Sequence, residues 1–258
     1  MNMHAPPVNV YAPALLKNVA AMLTLVETLR NRPQISSGFG VFSGPSGYGK
    51  TVASTYAQNQ YGCVYIEARE FWTRRAFCEA LLEELGQKPR GTIPQMMKDI
   101  VQVLGHDIGQ ALIIDEADKL VDKGMIELAR DIQEMTNAPV ILVGEEKLPT
   151  KLQSFERVHN RVLDWVLAQP CDVQDARLLA RRIVPGIEIE DALLEKMCRE
   201  TGGRTRRVAN SLFAAANVAR TSGATTLTVE TYQGRIFTGM APVRPGAPTP
   251  KRPVGGAR

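Results

Sequence analysis

The chain has 258 residues, enough for one large or two small cores, with 44% hydrophobic and 22% charged residues. No apolar run approaches the ~18 residues that span a bilayer, and residues 1–11 lack the basic and apolar regions of a secretory leader. The expectation is therefore a cytoplasmic protein with no membrane partner. The net charge is +4, and Arg244, Lys251, Arg252 and Arg258, with no acid after Gly239, account for all of it. Nucleic acid contact then has to use a local basic stripe and not the field of the whole body.

In chain order, residues 1–12 are expected to form an arm. From Pro13 on, Leu15, Leu16, Val19, Met22, Leu23, Val26 and Leu29 recur at three- and four-residue spacing, which predicts a helix stopped by Pro33. The apolar residues 39–42 then lead into Gly44-Pro45-Ser46-Gly47-Tyr48-Gly49-Lys50-Thr51. This G-x-x-x-x-G-K-T run, set between a strand and a helix predicted over residues 51–60, is a phosphate-cradling loop. Its glycines let successive N–H groups point at phosphate oxygens, and the helix N-terminus adds positive potential. Lys50 is placed to bridge the β- and γ-phosphates of ATP, and Thr51 Oγ1 to ligate Mg²⁺. The eight-residue match in this context argues against a plain glycine-rich turn.

Residues 63–66 are predicted as a short buried strand, and residues 71–85 as a helix with Phe71, Phe77, Leu81, Leu82 and Leu85 inward and Gly86 at its end. A further helix covers residues 92–104, with Thr92 as its cap. Residues 111–114 and 140–143 are continuous apolar runs of the kind found in central parallel strands. A helix over residues 125–135 separates them, and residues 163–167 are predicted as a fifth strand. Strands alternating with helices predict an α/β fold with a parallel sheet covered on both faces. After Pro170, helices over residues 172–184, 190–201 and 204–221, separated by Pro185-Gly186 and Gly202-Gly203, predict a small helical domain. Residues 227–237 are expected to add one more element. The Pro- and Gly-rich tail from Met240 is expected to be disordered. Cys63, Cys78, Cys171 and Cys198 show no C-x-x-C spacing and His4, His106 and His159 are dispersed, which predicts reduced thiols and no metal cluster.

Asp115-Glu116 follows the run 111–114 at once. Ligands of open parallel sheets bind at the carboxyl ends of strands. Asp115 is therefore placed to hold Mg²⁺ or its water shell, and Glu116 to accept a proton from an attacking water. Acids capping a βα turn are the alternative use.

The order of phosphate loop, Ile113-Ile114-Asp115-Glu116, a strand ending at Gly144, an arginine-bearing segment and a helical lid resembles the AAA+ ATPases, over roughly residues 13–238. The resemblance implies an AAA+ P-loop NTPase with a parallel five-stranded sheet over residues 13–170, a helical lid over 171–239, and Mg-dependent ATP hydrolysis. Within that superfamily, the compact body, the run Asp115-Glu116-Ala117-Asp118-Lys119-Leu120 and the strand entering Val143-Gly144-Glu145 resemble the transposition regulators, the phage Mu B-protein and TniB/TnsC group. Three further roles are implied. A polar sensor belongs at the end of the fourth strand, where this chain has Gly144-Glu145 in place of the usual Asn, Thr or Ser. An arginine finger for a neighbouring subunit is matched best by Arg161 and next by Arg157; a guanidinium stays charged and forks onto phosphate oxygens. A sensor arginine after Gly202-Gly203 is matched by Arg206. Surface salt bridges and a solvated helix start are the plainer uses of these arginines.

The Mu B-protein has a helix-turn-helix region ahead of its ATPase core. Here the phosphate loop begins at Gly44, so DNA contact is expected from the ATPase body or the tail. Arg69, Arg74 and Arg75 surround Phe71-Trp72, and Lys119 and Lys123 follow Asp115-Glu116. The resemblance puts both loops on the DNA-lining side, where they would track the phosphates of double-stranded DNA; a core aromatic pair beside a wet helix face is the alternative. The implied function is a DNA-binding ATPase that forms a homo-oligomer, filament or ring, on target DNA and recruits or stimulates a transposase of a phage or mobile element. A helicase loader or replication initiator is the alternative within the superfamily. A small-molecule kinase gains nothing from Arg161 or the Gly-Gly lid, and a switch without turnover has no use for Glu116.

Overall fold

The computed structural model describes residues 15–107 and 109–240, so the expected arm and all of the tail beyond Met240 lie outside the described residues. The chain runs α1 (Lys17–Arg30), β1 (Phe39–Ser43), α2 (Lys50–Tyr61), β2 (Val64–Glu67), α3 (Arg74–Glu84), α4 (Ile93–His106), β3 (Leu112–Asp115), α5 (Asp118–Asp122), α6 (Ile126–Thr136), β4 (Val140–Gly144), α7 (Leu148–Leu152), α8 (Glu156–His159) and β5 (Val162–Leu167). The C-terminal part adds α9 (Val173–Ile183), β6 (Glu188–Ile189), α10 (Asp191–Thr201), α11 (Thr205–Ser222) and β7 (Thr226–Leu227).

The five longer strands pair in the order β2-β3-β4-β1-β5, all parallel. Strand side chains alternate between faces, and here both faces are covered. Phe39, Val41, Leu112, Ile114, Val140 and Leu142 pack with Phe77, Leu81, Ile100 and Ile132 of α3, α4 and α6. Phe42, Ile113, Ile141 and Val143 pack on the other side with Met22, Leu25, Leu29, Ala53 and Ala57 of α1 and α2. Double-sided burial is why the central strands are unbroken apolar runs. The lid has its own core, in which Leu193, Met197, Val208 and Leu212 meet Tyr232 and Ile236.

Three expectations are corrected. The helix predicted from residue 71 starts at Arg74, because Thr73 Oγ1 accepts the Ala76 N–H at 3.2 Å and caps it there. Phe71 is not inward but 80% exposed in the preceding loop, and it is Trp72 that turns in, edge-on to Phe77 at 6.3 Å. The element predicted over residues 227–237 is only the two-residue strand β7, paired with β6, followed by turns. The short helices α5, α7 and α8 have no counterpart in the sequence reading, since four or five residues are too few to show a helical period.

The carboxyl end of β4 is held by a buried carboxylate. Asp118 Oδ2 accepts the Glu145 N–H at 2.7 Å, and its other oxygen pairs with Lys151 at 3.5 Å. A Cβ at Gly144 would overlap Asp118 Oδ2 and lie 2.7 Å from Leu148 Cδ2. Gly144→Ala is therefore expected to destabilise the fold by about 1–3 kcal/mol through overpacking, read as a lower denaturation midpoint at unchanged slope; an unchanged midpoint would show that α5 yields freely.

Candidate functional site

The phosphate loop leaves the carboxyl end of β1 and enters α2. Gly49, the N-cap of α2, has φ 85° and ψ 18°, a left-handed conformation that strains any residue with a Cβ. The turn folds the loop onto Lys50, whose Nζ donates to Gly44 O at 2.6 Å and to Pro45 O at 3.0 Å. Burial pushes the Lys50 pKa down, while the charges of Asp115, Glu116, Glu145 and Asp118 act in the opposite sense. The loop thus holds a cation at the mouth of the sheet, with acids gathered around it.

Asp115 ends β3 and is 2% exposed. Its Oδ2 accepts the Tyr65 hydroxyl at 3.1 Å and its Oδ1 accepts the Glu116 N–H at 2.8 Å. Burial, with Asp115 alongside, raises the Tyr65 phenol well above its usual range, so Tyr65 remains a donor. Glu116 adopts φ 55°, a left-handed conformation costing a non-glycine residue about 1–2 kcal/mol. Its side chain lines the cleft with Lys50, Thr51 and Glu145, and its Oε2 lies 3.3 Å from Lys119 Nζ. Asp118 explains the departure at the fourth strand: it occupies the space that a polar side chain at residue 144 would need, leaving Glu145 as the polar residue at the cleft.

The C-terminal helical part packs onto the loop. Arg204 Nη1 donates to Ser46 O at 2.8 Å, the Arg206 N–H to Gly47 O at 3.2 Å, and the Tyr48 hydroxyl to Gly202 O at 3.5 Å. Arg206 lines the cleft, but the guanidinium that bonds the loop is that of Arg204, one residue after Gly203, which the sequence reading passed over. Asn18 was also missed. It is buried in α1, donates to Tyr48 O and Gln169 O, both at 2.8 Å, and accepts the Gln169 N–H at 2.8 Å. Its signal was a polar residue on the buried stripe, four residues before Met22. The cleft between loop, α1 and lid has a volume of about 690 Å³. Leu16, Val19, Tyr48, Leu179, Ile183 and Phe213 make one part apolar, while Ser46, Lys50, Thr51, Glu116 and Glu145 make the other polar.

Arg161 and Arg157 lie elsewhere. Arg161 O accepts the Phe39 N–H at 3.1 Å, at the amino end of β1, whereas the phosphate loop leaves the carboxyl end. Five strand residues separate the two by roughly 17 Å, farther than one arginine side chain extends. Arg161 donates to Arg157 O at 2.6 Å and pairs with Glu134 at 3.6 Å, and Arg157 is exposed beside it.

The fold joins the two basic loops into one face. Lys119 donates to Ala68 O at 3.3 Å and Lys123 to Trp72 O at 3.4 Å, which braces residues 68–72 from α5. Arg69 pairs with Glu67 at 2.9 Å, and Arg75 with Glu79 at 2.8 Å and Gly91 O at 3.0 Å. Arg74 is exposed, with no hydrogen bond or ion pair among the described residues. Among those residues there is also no cluster of three His, Cys, Asp or Glu side chains fit for a metal, and no helix long and apolar enough to cross a membrane.

Residues 34–152 match the family model described as AAA domain. The Replication factor C large subunit of Staphylothermus marinus is 25% identical over 201 residues, 73% of this chain and 41% of that protein, so the chain spans less than half the length of this relative. The solved structure of the Aeropyrum pernix ORC2 protein, in ADPNP–ADP complexes, superposes with a TM-score of 0.65 at 14% identity, over 85% of this chain and 67% of that one. The ORC1 protein of the same organism, in complex with DNA, gives 0.60 at 18% identity, over 88% and 66%. At these identities the structural likeness establishes the fold, an α/β P-loop AAA fold with a five-stranded parallel sheet.

Proposed function

We propose that this chain, whose residues 34–152 match an AAA domain, hydrolyses ATP in the cleft under its lid and couples that cycle to binding duplex DNA. The observation that carries the coupling is Lys119, which touches both Glu116 and the main chain at the base of the basic loop. A DNA phosphate that draws Lys119 away also releases the carboxylate beside the nucleotide.

Gly44, Pro45, Ser46, Gly47, Tyr48 and Gly49 wrap the phosphates, with Lys50 Nζ exchanging its two carbonyl partners for phosphate oxygens. Thr51 Oγ1 and the buried Asp115 carboxylate are hard oxygen donors of the kind that Mg²⁺ takes, and they would hold the ion that neutralises charge on the β- and γ-phosphates. Glu116 accepts the proton of the attacking water, and Glu145 orients that water from the other wall. Arg206 and Arg204 report nucleotide occupancy to the lid, residues 171–239, which moves against the body, residues 13–170. Arg161, with Arg157 beside it, serves the cleft of a second copy in a ring or filament.

The replication factor C relative and the DNA-bound ORC1 protein support a role in loading or organising proteins on DNA. The transposition reading, in which the assembly recruits a transposase, rests on the compact body, the run Asp115 to Leu120 and the strand entering Val143-Gly144-Glu145. Assays of transposase stimulation and of helicase loading, each with its partner purified, separate these two roles.

Duplex binding is expected to require ATP, to be cooperative and sequence-indifferent, and to weaken steeply with salt. Arg74→Glu should weaken binding to all sequences alike and flatten the log–log salt dependence by about one unit, with nucleotide affinity unchanged. Fluorescence anisotropy with and without ATP measures this; equal DNA affinity in both states of a monomeric protein would sink the coupling.

A further inference from the structure

The loop between β2 and α3 holds an apolar ring out in water. Phe71 is 80% exposed, while its neighbour Trp72 packs against the core. The Trp72 N–H donates to Arg69 O at 3.1 Å, which closes a tight turn with Glu70 and Phe71 at its tip. Both flanks of the turn are fixed. Ala68 is buried, and its N–H donates to Asp115 O at 2.9 Å. Lys119 and Lys123 bond the Ala68 and Trp72 carbonyls from α5, and Thr73 caps α3 immediately after. Phe71 is therefore presented on a braced turn, and little ordering entropy opposes a contact made there.

The charges around the ring select its partner. Residues 68–75 carry Arg69, Arg74 and Arg75 against one carboxylate, Glu70, and Lys119 and Lys123 brace the same turn. Glu67 and Glu79 pair with Arg69 and Arg75, yet both arginine side chains stay half-exposed, and Arg74 has no partner among the described residues. A polyanion fits this setting. A nucleic acid is a polyanion with apolar faces of its own, the planes of its bases. In a continuous duplex those faces are stacked on each other, and opening a step offsets what the new contact returns. Where a base is missing, the neighbouring faces are already free.

We infer that Phe71 stacks on an exposed base face, so that this turn favours duplex DNA with an interrupted base stack over continuous duplex. The arginines take phosphates and hold the duplex against the turn, and the ring fills the opening in the stack. Every base has a π face, so the contact is indifferent to sequence and selects for the interruption itself.

The inference rests on the duplex-binding reading, and the experiment separates the two. Fluorescence anisotropy of the full chain with ATP compares two duplexes of one length and one phosphate count, one continuous and one lacking a single central base. The parent chain is expected to bind the abasic duplex at least about fivefold more tightly, the low end for a base–aromatic stack. Phe71→Ala should bind both alike, at the parent's affinity for the continuous duplex, with the salt slope unchanged because no charge is lost. Phe71→Trp keeps a stacking face and should retain the preference. Arg74→Glu should weaken both complexes and keep their ratio. The ring at residue 71 is exposed, so neither change there removes core packing. Equal binding of the two duplexes by the parent, or a preference that survives Phe71→Ala, overturns the inference and leaves Phe71 as an anchor for a protein surface. If the parent binds neither duplex, the duplex-binding reading fails and takes the inference with it.

Discussion

Glu116→Gln is expected to bind ATP as tightly as the parent chain and to hydrolyse it ~10²–10⁴-fold more slowly, the usual loss for a positioned general base. The substitution is isosteric. The left-handed backbone at residue 116 is held by its own N–H, which bonds Asp115 Oδ1 at 2.8 Å, so the side chain keeps its place. What changes is the capacity to take a proton and the ion pair with Lys119. That pair is partly exposed on both sides, so its loss has little effect on stability. Lys50→Ala makes the contrasting case. It removes the cation that closes the loop through Gly44 O and Pro45 O, and with it nucleotide binding itself. Single-turnover kinetics with labelled ATP separates the two steps; Glu116→Gln turning over at the parental rate would remove Glu116 from the chemistry.

The parts of the molecule that were legible in the sequence are those whose cause is local. Residues 111–114 and 140–143 are buried on both faces, so no polar residue interrupts them, and they stand out as strands. The phosphate loop was legible because its glycines and Lys-Thr pair are contiguous. Phe71 was misplaced because an aromatic residue next to a helical run fits the period. The stop signal, Thr73 capping the Ala76 N–H, is a single hydroxyl that the apolar pattern outweighs. Asp118 and Asn18 act through partners distant in sequence, and only the closed fold brings them together: Glu145 for Asp118, Tyr48 and Gln169 for Asn18. Arg206 lines the cleft, while the contact of Arg204 with the loop depends on where the next helix starts. α11 begins at Thr205, so Arg204 stays outside the helix, where its side chain lies along the loop.

Arg161→Ala is expected to leave nucleotide affinity nearly intact and to lower turnover by about 10³-fold or more, the range for an arginine finger supplied by another subunit. Geometry motivates the claim. Arg161 sits at the amino end of β1, and its own phosphate loop lies at the opposite end of that strand. It can meet a γ-phosphate only on a second copy. Its present partners do not oppose this: the Glu134 contact is long, at 3.6 Å, with both side chains part-exposed, and such pairs are worth at most about 1 kcal/mol. Turnover by the parent chain should therefore rise more than linearly with protein concentration. Mixing Arg161→Ala with Lys50→Ala should restore activity, because the first variant supplies an intact phosphate loop and the second an intact Arg161 at the same interface. Neither variant alone offers both. Linear concentration dependence with no rescue in the mixture would mean that each cleft is complete by itself. Arg206, already at the cleft wall, would then be the arginine to test next.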